Sequence, residues 1–555
     1  MEKIRSWWIQ DKRYLTMAKA MLMAFLPALC CLVYCAVQGR SIGEVYLPGS
    51  EWNDELFYYK QVEGIVNFGY PQGYFGFNES HALKLSFAAW SPVLVFPWII
   101  WGILFGWNMM SPVMCNISLM TLAVFLFVWL VKPAWKQLGV TSLLFCLYTP
   151  FVRYMLSVMP EVICFSLLII FYSLAVNYLN REKTYKLVIL FALSGFLTLM
   201  RPYMLLFVLL PAYLWARKSR WKGLIGSAAV FAVVLSVYAA IKHYLGAEYF
   251  APLFFTDWIE AFFEQGLLGG IRYTLGKLYY MGMDFRAHTI QGFRTGLASG
   301  AFFAGYLIML LVLLGQSLKD FVSLGALKRA EMEADQTSEA AKAGARENAA
   351  ERGERIETLR KQLVIEVHLA FSFAAMLFAL LLMYKLTEGS KHLLTFMAAG
   401  VFVVGMLETK FYKKAVVIGA AFAYFYSYMA LDPYDYQVPF WEEQRAVQLE
   451  NWSEAFEKEL QLTEKNVPNY QNVVIWPFDD EGESGRPLPW QMLYGLPEGW
   501  GISCCRQEYV IQNLEDLQCR YMVSLTGGQL DALCKDAGYT EIHRDEEMVL
   551  YELKK

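Results

Sequence analysis

Long apolar runs recur along most of this chain and constrain its fold more than any other feature. A helix needs about 20 mainly apolar residues to cross the roughly 30 Å of hydrocarbon in a bilayer. Charged residues make up 18% of the chain, against the roughly 25% found in soluble domains. The candidate spans are 17–37, 112–131, 140–157, 162–179, 187–200, 203–216, 223–241, 297–317, 363–384, 393–407 and 414–431. The sequence therefore predicts an α-helical polytopic membrane protein.

The orientation of these spans depends on a further apolar run at 88–107, which contains Pro92 and Pro97. Basic residues in short loops favour the cytoplasmic side. If 88–107 lies in the interface or re-enters, the basic N-terminus and four later basic clusters all face the cytoplasm: 132–136, 181–186, 217–222 and 410–414. We therefore expect about eleven spans, one interfacial or re-entrant segment and a cytoplasmic N-terminus. The short loops carry no organellar signal, so we expect a bacterial plasma membrane.

This orientation sorts the remaining segments into outer and inner ones. A first external loop at 38–111 and a loop at 242–296 lie outside, whereas the charged insert 319–362 lies inside. The insert lacks a steady apolar stripe, so we expect a solvated helix or a partly disordered loop. After the membrane domain, 1–431, the residues 432–555 are predicted to form a small extracytoplasmic α/β domain. The prediction of this domain rests on β-type runs at 472–476, 520–525 and 547–553 and on helical patterns at 510–519 and 527–538.

Several function classes are excluded or disfavoured by what the sequence lacks. A net charge of −3 gives no basic surplus for a phosphate backbone, so no nucleic-acid partner is expected. The ten Cys and six His form neither a CxxC pair nor an HExxH motif, which disfavours a structural zinc site or a zincin. No Walker A sequence, GxGxxG after a strand or GxSxG elbow is present. Nucleotide-driven pumps and α/β-hydrolases are therefore not expected.

Carboxylates occur at two places on the predicted outer face. Asp54 and Glu55 follow the first span closely and precede the aromatic run Phe57-Tyr58-Tyr59. A carboxylate near apolar and aromatic neighbours tends toward a raised pKa, which suits a general base, although an ordinary solvated carboxylate is the simpler interpretation. Glu161 lies at a short tip between two apolar spans, where ionisable groups are costly and often functional. The simpler interpretation is an acid at the N-terminus of a helix after Pro160, stabilised by the helix dipole.

Cations lie at the same predicted level. Arg201 stands in LTLMRPYMLLF, where Pro202 breaks the helix, and Lys391 and His392 stand in KLTEGSKHLLTF at the start of another span. Orientation does not require cations at the outer leaflet, so an anion such as phosphate is their expected partner. Snorkelling to lipid headgroups is the alternative for each of them.

Taken together, these motifs resemble the GT-C superfamily of polytopic glycosyltransferases. The resemblance is closest to glycosyltransferase family 39, the branch with protein O-mannosyltransferases and the lipid A aminoarabinose transferase. It rests on NDELFYY in the first external loop, the MPEV tip, the MRPYMLL turn and SKHLL late in the membrane region, in this order and on one side. Lys391-His392 stands where Arg-Tyr is common in the family. The lysine keeps the positive charge of the arginine but cannot bind a phosphate in the bidentate geometry of a guanidinium.

The resemblance implies a polyprenyl-phosphate sugar donor and a glycan, lipid or protein acceptor that approaches from outside. Asp54 is then the base in an inverting transfer, Arg201, Lys391 and His392 bind the donor phosphate, and Glu161 orients the acceptor or Asp54. No cofactor is firmly implied, and a divalent metal held by Glu161 with Asp54 is left open. Supporting candidates are Glu55 as a further carboxylate and Tyr58, Tyr59, His81 and Lys84 as residues that line the site.

Two rival functions stay open from the sequence. Many spans with charges at membrane level also describe a secondary transporter, although transporters place their sites near the midplane on broken helices. A non-catalytic protein of cell-envelope polymer assembly would keep the same scaffold without the chemistry. Such a protein would tolerate Asp54→Asn.

Overall fold

A computed structural model of the chain describes residues 12–69, 76–77, 91–146, 148–245, 255–295, 297–335, 342–384, 386–407, 437–460, 473–480, 488–497 and 499–553. The helices are α1 (Lys12–Ala24), α2 (Leu26–Val37), α3 (Asn53–Phe68), α4 (Phe96–Phe105), α5 (Ser111–Val131), α6 (Trp135–Cys146), α7 (Thr149–Met155), α8 (Glu161–Asn180), α9 (Thr184–Met200), α10 (Leu209–Lys218), α11 (Arg220–Leu245), α12 (Asp257–Glu264), α13 (Gly266–Thr295), α14 (Leu297–Asp335), α15 (Lys342–Met383), α16 (Leu386–Met406), α17 (Glu443–Glu459), α18 (Gln507–Asn513) and α19 (Gln529–Asp536). The protein is therefore mostly helical.

Several of these helices can cross a membrane, which makes the chain a multi-pass membrane protein. Within the described residues, six stretches are long and apolar enough: Tyr14–Val37, Ser111–Val131, Glu161–Asn180, Arg220–Leu245, Phe303–Met332 and Glu351–Met383. Shorter apolar helices cover Pro92–Phe105, Thr184–Met200 and Lys391–Met406. The predicted span 414–431 lies outside the described residues, and the number of eleven spans stays a prediction.

Two predicted apolar runs are interrupted by proline. The run at 140–157 is divided between α6 and α7, which meet at 73°, and Pro150 stands in the first turn of α7. Proline cannot donate the backbone hydrogen bond that a continuous helix requires, so it begins a new helix here. At 88–107 the described part is a 3₁₀ turn at Pro92–Val95 followed by α4. With ten residues, α4 is about 15 Å long, which is too short to cross the hydrocarbon.

The charged insert is helical wherever the structure describes it. It continues two spans, because α14 runs to Asp335 and α15 begins at Lys342. The two helices pack side by side, and Tyr306 of α14 donates a hydrogen bond to the carbonyl of Phe373 in α15 at 2.8 Å. The expected loop at 242–296 likewise contains helix α13, which is 30 residues long.

In the described residues, five strands of the C-terminal region and one strand from an earlier loop form a six-stranded sheet. Its strands are β1 (Gly76–Phe77), β2 (Val473–Pro477), β3 (Gly501–Cys505), β4 (Tyr521–Leu525), β5 (Thr540–Arg544) and β6 (Met548–Glu552), in the order β1-β3-β2-β4-β6-β5. Strands β1 to β4 pair in parallel, and β5 and β6 are antiparallel. β2, β3 and β4 are buried along their whole length, as in parallel sheets that are covered on both faces. The small α/β domain predicted from the tail is confirmed.

This sheet is joined to the segment 38–111, which the sequence predicts to be the first external loop. β1 comes from that loop and pairs with β3 in the register Gly76↔Ser503. Backbone bonds also link the loop with the segment before α17, since the amide of Tyr46 donates to the carbonyl of Pro439 at 2.9 Å. Lys60 of α3 donates to the carbonyl of Leu496 at 2.9 Å. The C-terminal domain therefore packs directly against the loop that carries Asp54.

The buried Asp531 carboxylate makes the stability of the C-terminal domain depend on pH. The carboxylate is 1% exposed and accepts hydrogen bonds from Arg544, Tyr551, Lys535 and the Gly527 amide. Burial opposes its ionisation, but these donors, with Arg544 the strongest, outweigh burial and hold the pKa of Asp531 well below its ordinary value. Its folded-state pKa lies below the unfolded value near 3.9, so the stabilisation is present above about pH 4 and is lost as the pH falls further.

We expect Asp531→Asn to lower the free energy of unfolding of this domain by about 2 kcal/mol at pH 7 and to flatten its pH dependence below about pH 4. Hydrogen exchange of the β4 and β6 amides in the whole protein measures both effects. The control is Asp536→Asn, which changes an exposed aspartate of the same helix. Equal pH dependence in wild type and Asp531→Asn would contradict the assignment.

Candidate functional site

The first turn of α3 directs its two carboxylates to different partners. Asp54 and Glu55 are the second and third residues of the helix, and successive helical residues point about 100° apart. Residues four apart share a face, so Tyr58 lies above Asp54 and Tyr59 lies above Glu55. The backbone of α3 therefore divides the motif NDELFYY into an Asp54–Tyr58 face and a Glu55–Tyr59 face.

Asp54 forms an ion pair with Lys391, which stands near the start of α16. Lys391 Nζ lies 2.6 Å from Asp54 Oδ2. The side chains are 38% exposed for Asp54 and 23% exposed for Lys391, so the pair is accessible from outside the fold. A substrate can therefore reach a carboxylate and an ammonium group at one point.

Behind this pair lies a buried network centred on Arg201. Arg201 Nη2 donates to Glu161 Oε1 at 2.5 Å, and Nη1 donates to Tyr203 Oη at 2.9 Å and to His392 Nδ1 at 2.8 Å. Arg201 is 1% exposed, and Glu161 is fully buried. Since His392 Nδ1 accepts from a guanidinium, the imidazole is neutral with its proton on Nε2. The network holds one positive and one negative charge away from water.

The chain geometry explains why these groups meet. Glu161 follows Pro160 and begins α8, whereas Arg201 follows α9 and precedes Pro202. A residue before proline is forced toward extended backbone, and Arg201 adopts φ −145° and ψ 119° as α9 ends. Because α8 and α9 are joined by a short turn at 181–183, they run antiparallel and their other ends, with Glu161 and Arg201, lie at the same end of the bundle.

The exposed pair and the buried network belong to one site. Tyr58 is buried, and the charges of Asp54, Arg201 and Glu161 all lie close enough to act on its phenol. Burial, followed by the nearby Asp54 carboxylate, raises the pKa of the Tyr58 phenol well above its ordinary value. Lys391 likewise interacts electrostatically with Glu161 and Arg201. The ring of Tyr384 packs against His392 with centroids 5.3 Å apart.

Glu55 makes a different ion pair, with Arg153 of α7. Arg153 Nη1 and Nη2 lie 3.2 and 3.1 Å from the two carboxylate oxygens, which is bidentate geometry. The amide of Val158 also donates to Glu55 at 3.1 Å, and the Arg153 guanidinium lies 3.8 Å over the Trp52 ring. Glu55 is fully buried. This arrangement gives Glu55 a role in holding α3 against α7 rather than an open position at the site.

The structure thus brings together Asp54, Glu161, Arg201, Lys391, His392 and Tyr58. Tyr59 instead packs against Trp107 and Tyr494 with the Glu55 face. His81 and Lys84 lie outside the described residues. Sequence reasoning missed Tyr203, Tyr384 and Arg153. A charge within the apolar run 140–157 was the available signal for Arg153, since such a residue is costly unless it is paired.

The donor set at this site does not favour a metal ion. Asp54 faces Lys391 and Glu161 faces Arg201, so each carboxylate already has a cationic partner. In the described part of the chain, no three His, Cys, Asp or Glu side chains are grouped as metal ligands. The positive charge available to an anionic substrate is that of Lys391 and Arg201.

Comparisons with known proteins give distant structural similarity. No family model matches the chain, and no curated protein matches it. The chain is similar to ArnT from Cupriavidus metallidurans in the apo state, with 10% identity over 99% of this chain and 98% of that one and a TM-score of 0.40. It is also similar to ArnT bound to undecaprenyl phosphate, with 9% identity, coverage of 97% and 98%, and a TM-score of 0.38. ArnT is the lipid A aminoarabinose transferase, a GT-C protein; at these TM-scores the similarity carries no functional argument.

Proposed function

We propose that this protein is a membrane glycosyltransferase that moves a hexosyl or pentosyl group from a polyprenyl-phosphate donor to an extracytoplasmic hydroxyl. The observation that carries the proposal is the accessible Asp54–Lys391 pair in front of the buried Arg201 network. A base and a cation at one accessible point are what transfer from a phosphate leaving group to a hydroxyl requires. Their position at the end of apolar helices suits a donor whose lipid tail stays in the bilayer.

In this proposal Asp54 is the general base. As the acceptor oxygen attacks the anomeric carbon, its proton passes to an Asp54 carboxylate oxygen. The bond from the anomeric carbon to the phosphate oxygen breaks on the opposite face, so the configuration inverts. Glu161 is unsuited to this step because it is buried and bound by Arg201, whereas Asp54 is partly open.

Lys391 is the group that contacts the leaving phosphate in this proposal. Its ammonium is partly exposed and bound to Asp54 alone among the ion pairs described, so it is available to an incoming anion. Arg201 acts at a distance, because its guanidinium is buried against Glu161, Tyr203 and His392. Its role is to position His392 and Glu161 and to add positive potential behind Lys391. Glu161 is fully buried, so in this proposal it acts through its charge on Lys391 and Arg201 rather than by contact with the acceptor.

The proposal includes an arrangement in the membrane. The site faces the outside of a bacterial plasma membrane, the N-terminus is cytoplasmic, and the domain at 432–555 packs beside α3 on the outer side. Its contacts with the first external loop support a role in selecting the glycan, lipid or protein acceptor.

The test is turnover of a panel of polyprenyl-phosphate sugars by the purified protein in lipid nanodiscs, scored as release of free polyprenyl phosphate. We expect one donor to be turned over, and Lys391→Met to reduce the rate roughly a hundredfold through loss of charge stabilisation. The matched control is Lys277→Met. Lys277 is paired with Asp257 at 2.5 Å and is 19% exposed, so this variant breaks a similar ion pair outside the site.

Failure of folded protein to bind or turn over any donor would contradict the proposal and favour a transporter or an assembly scaffold. Equal rates for Lys391→Met and Lys277→Met would remove Lys391 from the phosphate contact. A loss of turnover in Lys391→Met but not in Lys277→Met supports the contact between Lys391 and the phosphate.

A further inference from the structure

A polar cavity lies at the end of the helical bundle opposite the candidate site. Its volume is about 330 Å³, and its wall includes the last residues of α5, α8 and α16 and the segment 354–365 of α15. From Glu161 to Asn180, which lines the cavity, α8 rises about 28 Å. The cavity is therefore separate from the Asp54–Lys391 pair, and its size is typical of a site for a small ligand.

This cavity lies at the level where membrane spans end. The candidate spans Ser111–Val131 and Glu161–Asn180 both end in its wall. On α15 the wall begins at Glu354, just before the apolar part of that helix near 363. The boundary between apolar and charged residues is the level of the lipid headgroups in a bilayer. A phospholipid beside the bundle therefore presents its headgroup at the height of the cavity.

The polar side chains of the wall carry both signs of charge. Lys132 and Lys361 supply two ammonium groups, and Glu354 supplies a carboxylate. Lys361 Nζ lies 3.6 Å from Glu357, which is too long for a hydrogen bond, so the ammonium can still donate to a ligand. The C-termini of α5, α8 and α16 add partial negative charge on their last carbonyl groups. The cavity thus offers a ligand both positive and negative partners.

Lys132 has an unusual backbone conformation. It follows α5 with φ 56° and ψ 50°, in the left-handed region. Within the described residues, no other residue except glycine has a positive φ. Glycine or asparagine adopts this conformation at lower cost. Strained residues of this kind concentrate at ligand sites, so the strain points to a use for the lysine side chain.

The inner wall of the cavity is mainly apolar. Leu179, Ile365 and Met406 are buried there, and two amides, Gln137 and Gln362, are only 7% and 9% exposed. Both amide atoms of Gln137 are bonded to backbone groups, so Gln362 is the amide better placed to contact a ligand. Apolar walls with a few polar groups are typical of ligand pockets.

We propose that this cavity binds the phosphoethanolamine headgroup of a phospholipid. The phosphate accepts hydrogen bonds from Lys132 and Lys361, and the primary ammonium donates to Glu354 and to carbonyl groups at the helix ends. An anionic headgroup without an ammonium would leave Glu354 and the helix C-termini uncompensated, and a choline headgroup has no N–H donor. The bound lipid holds the ends of α5, α8 and α15 together, and the inference does not depend on the proposed function.

The test is native mass spectrometry of the full-length protein in detergent, titrated with phosphatidylethanolamine, phosphatidylcholine or phosphatidylglycerol of matched acyl chains. We expect one phosphatidylethanolamine per chain, bound about tenfold or more tightly than the other two lipids, since a lost hydrogen bond to a charged group weakens binding by about that factor. Soluble glycerophosphoethanolamine should bind about tenfold or more weakly than the lipid, because it lacks the acyl chains that bury apolar surface.

Two variants test the assigned contacts. Lys132→Asn removes the ammonium but suits the left-handed backbone, so it should weaken phosphatidylethanolamine binding about tenfold without lowering the unfolding temperature. Glu354→Gln should reduce the preference for phosphatidylethanolamine over phosphatidylglycerol. The matched control is Lys183→Asn, which changes an exposed lysine of the turn after α8 that is not part of the cavity wall.

The proposal is overturned if no lipid binds saturably, if the three lipids bind equally, or if Lys132→Asn binds as wild type does. Equal affinities for the lipid and for soluble glycerophosphoethanolamine would also overturn it and would assign the cavity to a free phosphate ester. A preference for phosphatidylethanolamine that is lost in Lys132→Asn but kept in Lys183→Asn supports it.

Discussion

The Asp54→Asn variant is expected to lose sugar transfer by about two to four orders of magnitude, the range that general base catalysis contributes. An amide has nearly the shape of the carboxylate but cannot take the proton of the attacking hydroxyl. Lys391, which loses its ion-pair partner in this variant, is 23% exposed, so the remaining charge stays partly hydrated and the fold should persist. The loss should appear in kcat more than in KM, because the proton moves during the chemical step. Release of polyprenyl phosphate under saturating donor measures it.

Asp257→Asn is a matched control for this variant. Asp257 also lies in the first turn of a helix, is 41% exposed and is paired with a lysine. We expect it to keep wild-type turnover and a similar unfolding temperature. If Asp54→Asn retained more than about a tenth of the wild-type rate, Asp54 would not be the base. The non-catalytic alternative predicts that both variants behave alike.

The sequence was sufficient to predict that Glu161, Arg201 and Lys391 lie at one level, because their positions relative to span ends are local information. Glu161 begins one apolar helix, Arg201 follows the next, and Lys391 begins another. Helices in a membrane end at one of two levels, so counting spans assigns these three to the same level. The proline after Arg201 was also visible, and it marks where α9 ends.

The sequence was insufficient to separate Asp54 from Glu55, since neighbouring residues in a helix differ only in direction. That direction depends on how α3 packs, and α3 packs against α7 through Arg153. The bend between α6 and α7 was missed although Pro150 marks it, because the apolar length of 140–157 also fits a single span. The pairing of Gly76–Phe77 with β3 is a contact across more than 400 residues, which local patterns cannot indicate.

The Arg153→Met variant is expected to lower the free energy of unfolding by about 3 to 5 kcal/mol. It leaves Glu55 as an unpaired charge in a position that is fully buried. It also removes the guanidinium from the Trp52 ring, 3.8 Å away, and leaves Ser50 without its 2.9 Å donor. Equilibrium unfolding in bicelles, followed by tryptophan fluorescence, measures the change. This loss of stability arises mainly from the desolvated Glu55 carboxylate, so most of it should disappear when Glu55 is also replaced.

A double-mutant cycle tests that cause. Glu55→Met combined with Arg153→Met removes both charges and replaces them with apolar side chains, so it should recover most of the stability lost in Arg153→Met. The control is Arg40→Met, which breaks a pair of equal length, 3.1 Å, whose side chains are 41% and 40% exposed. That variant should cost no more than about 1 kcal/mol. If Arg153→Met were no costlier than Arg40→Met, the Glu55–Arg153 pair would not hold α3 against α7, and Glu55 would return as a candidate for the chemistry.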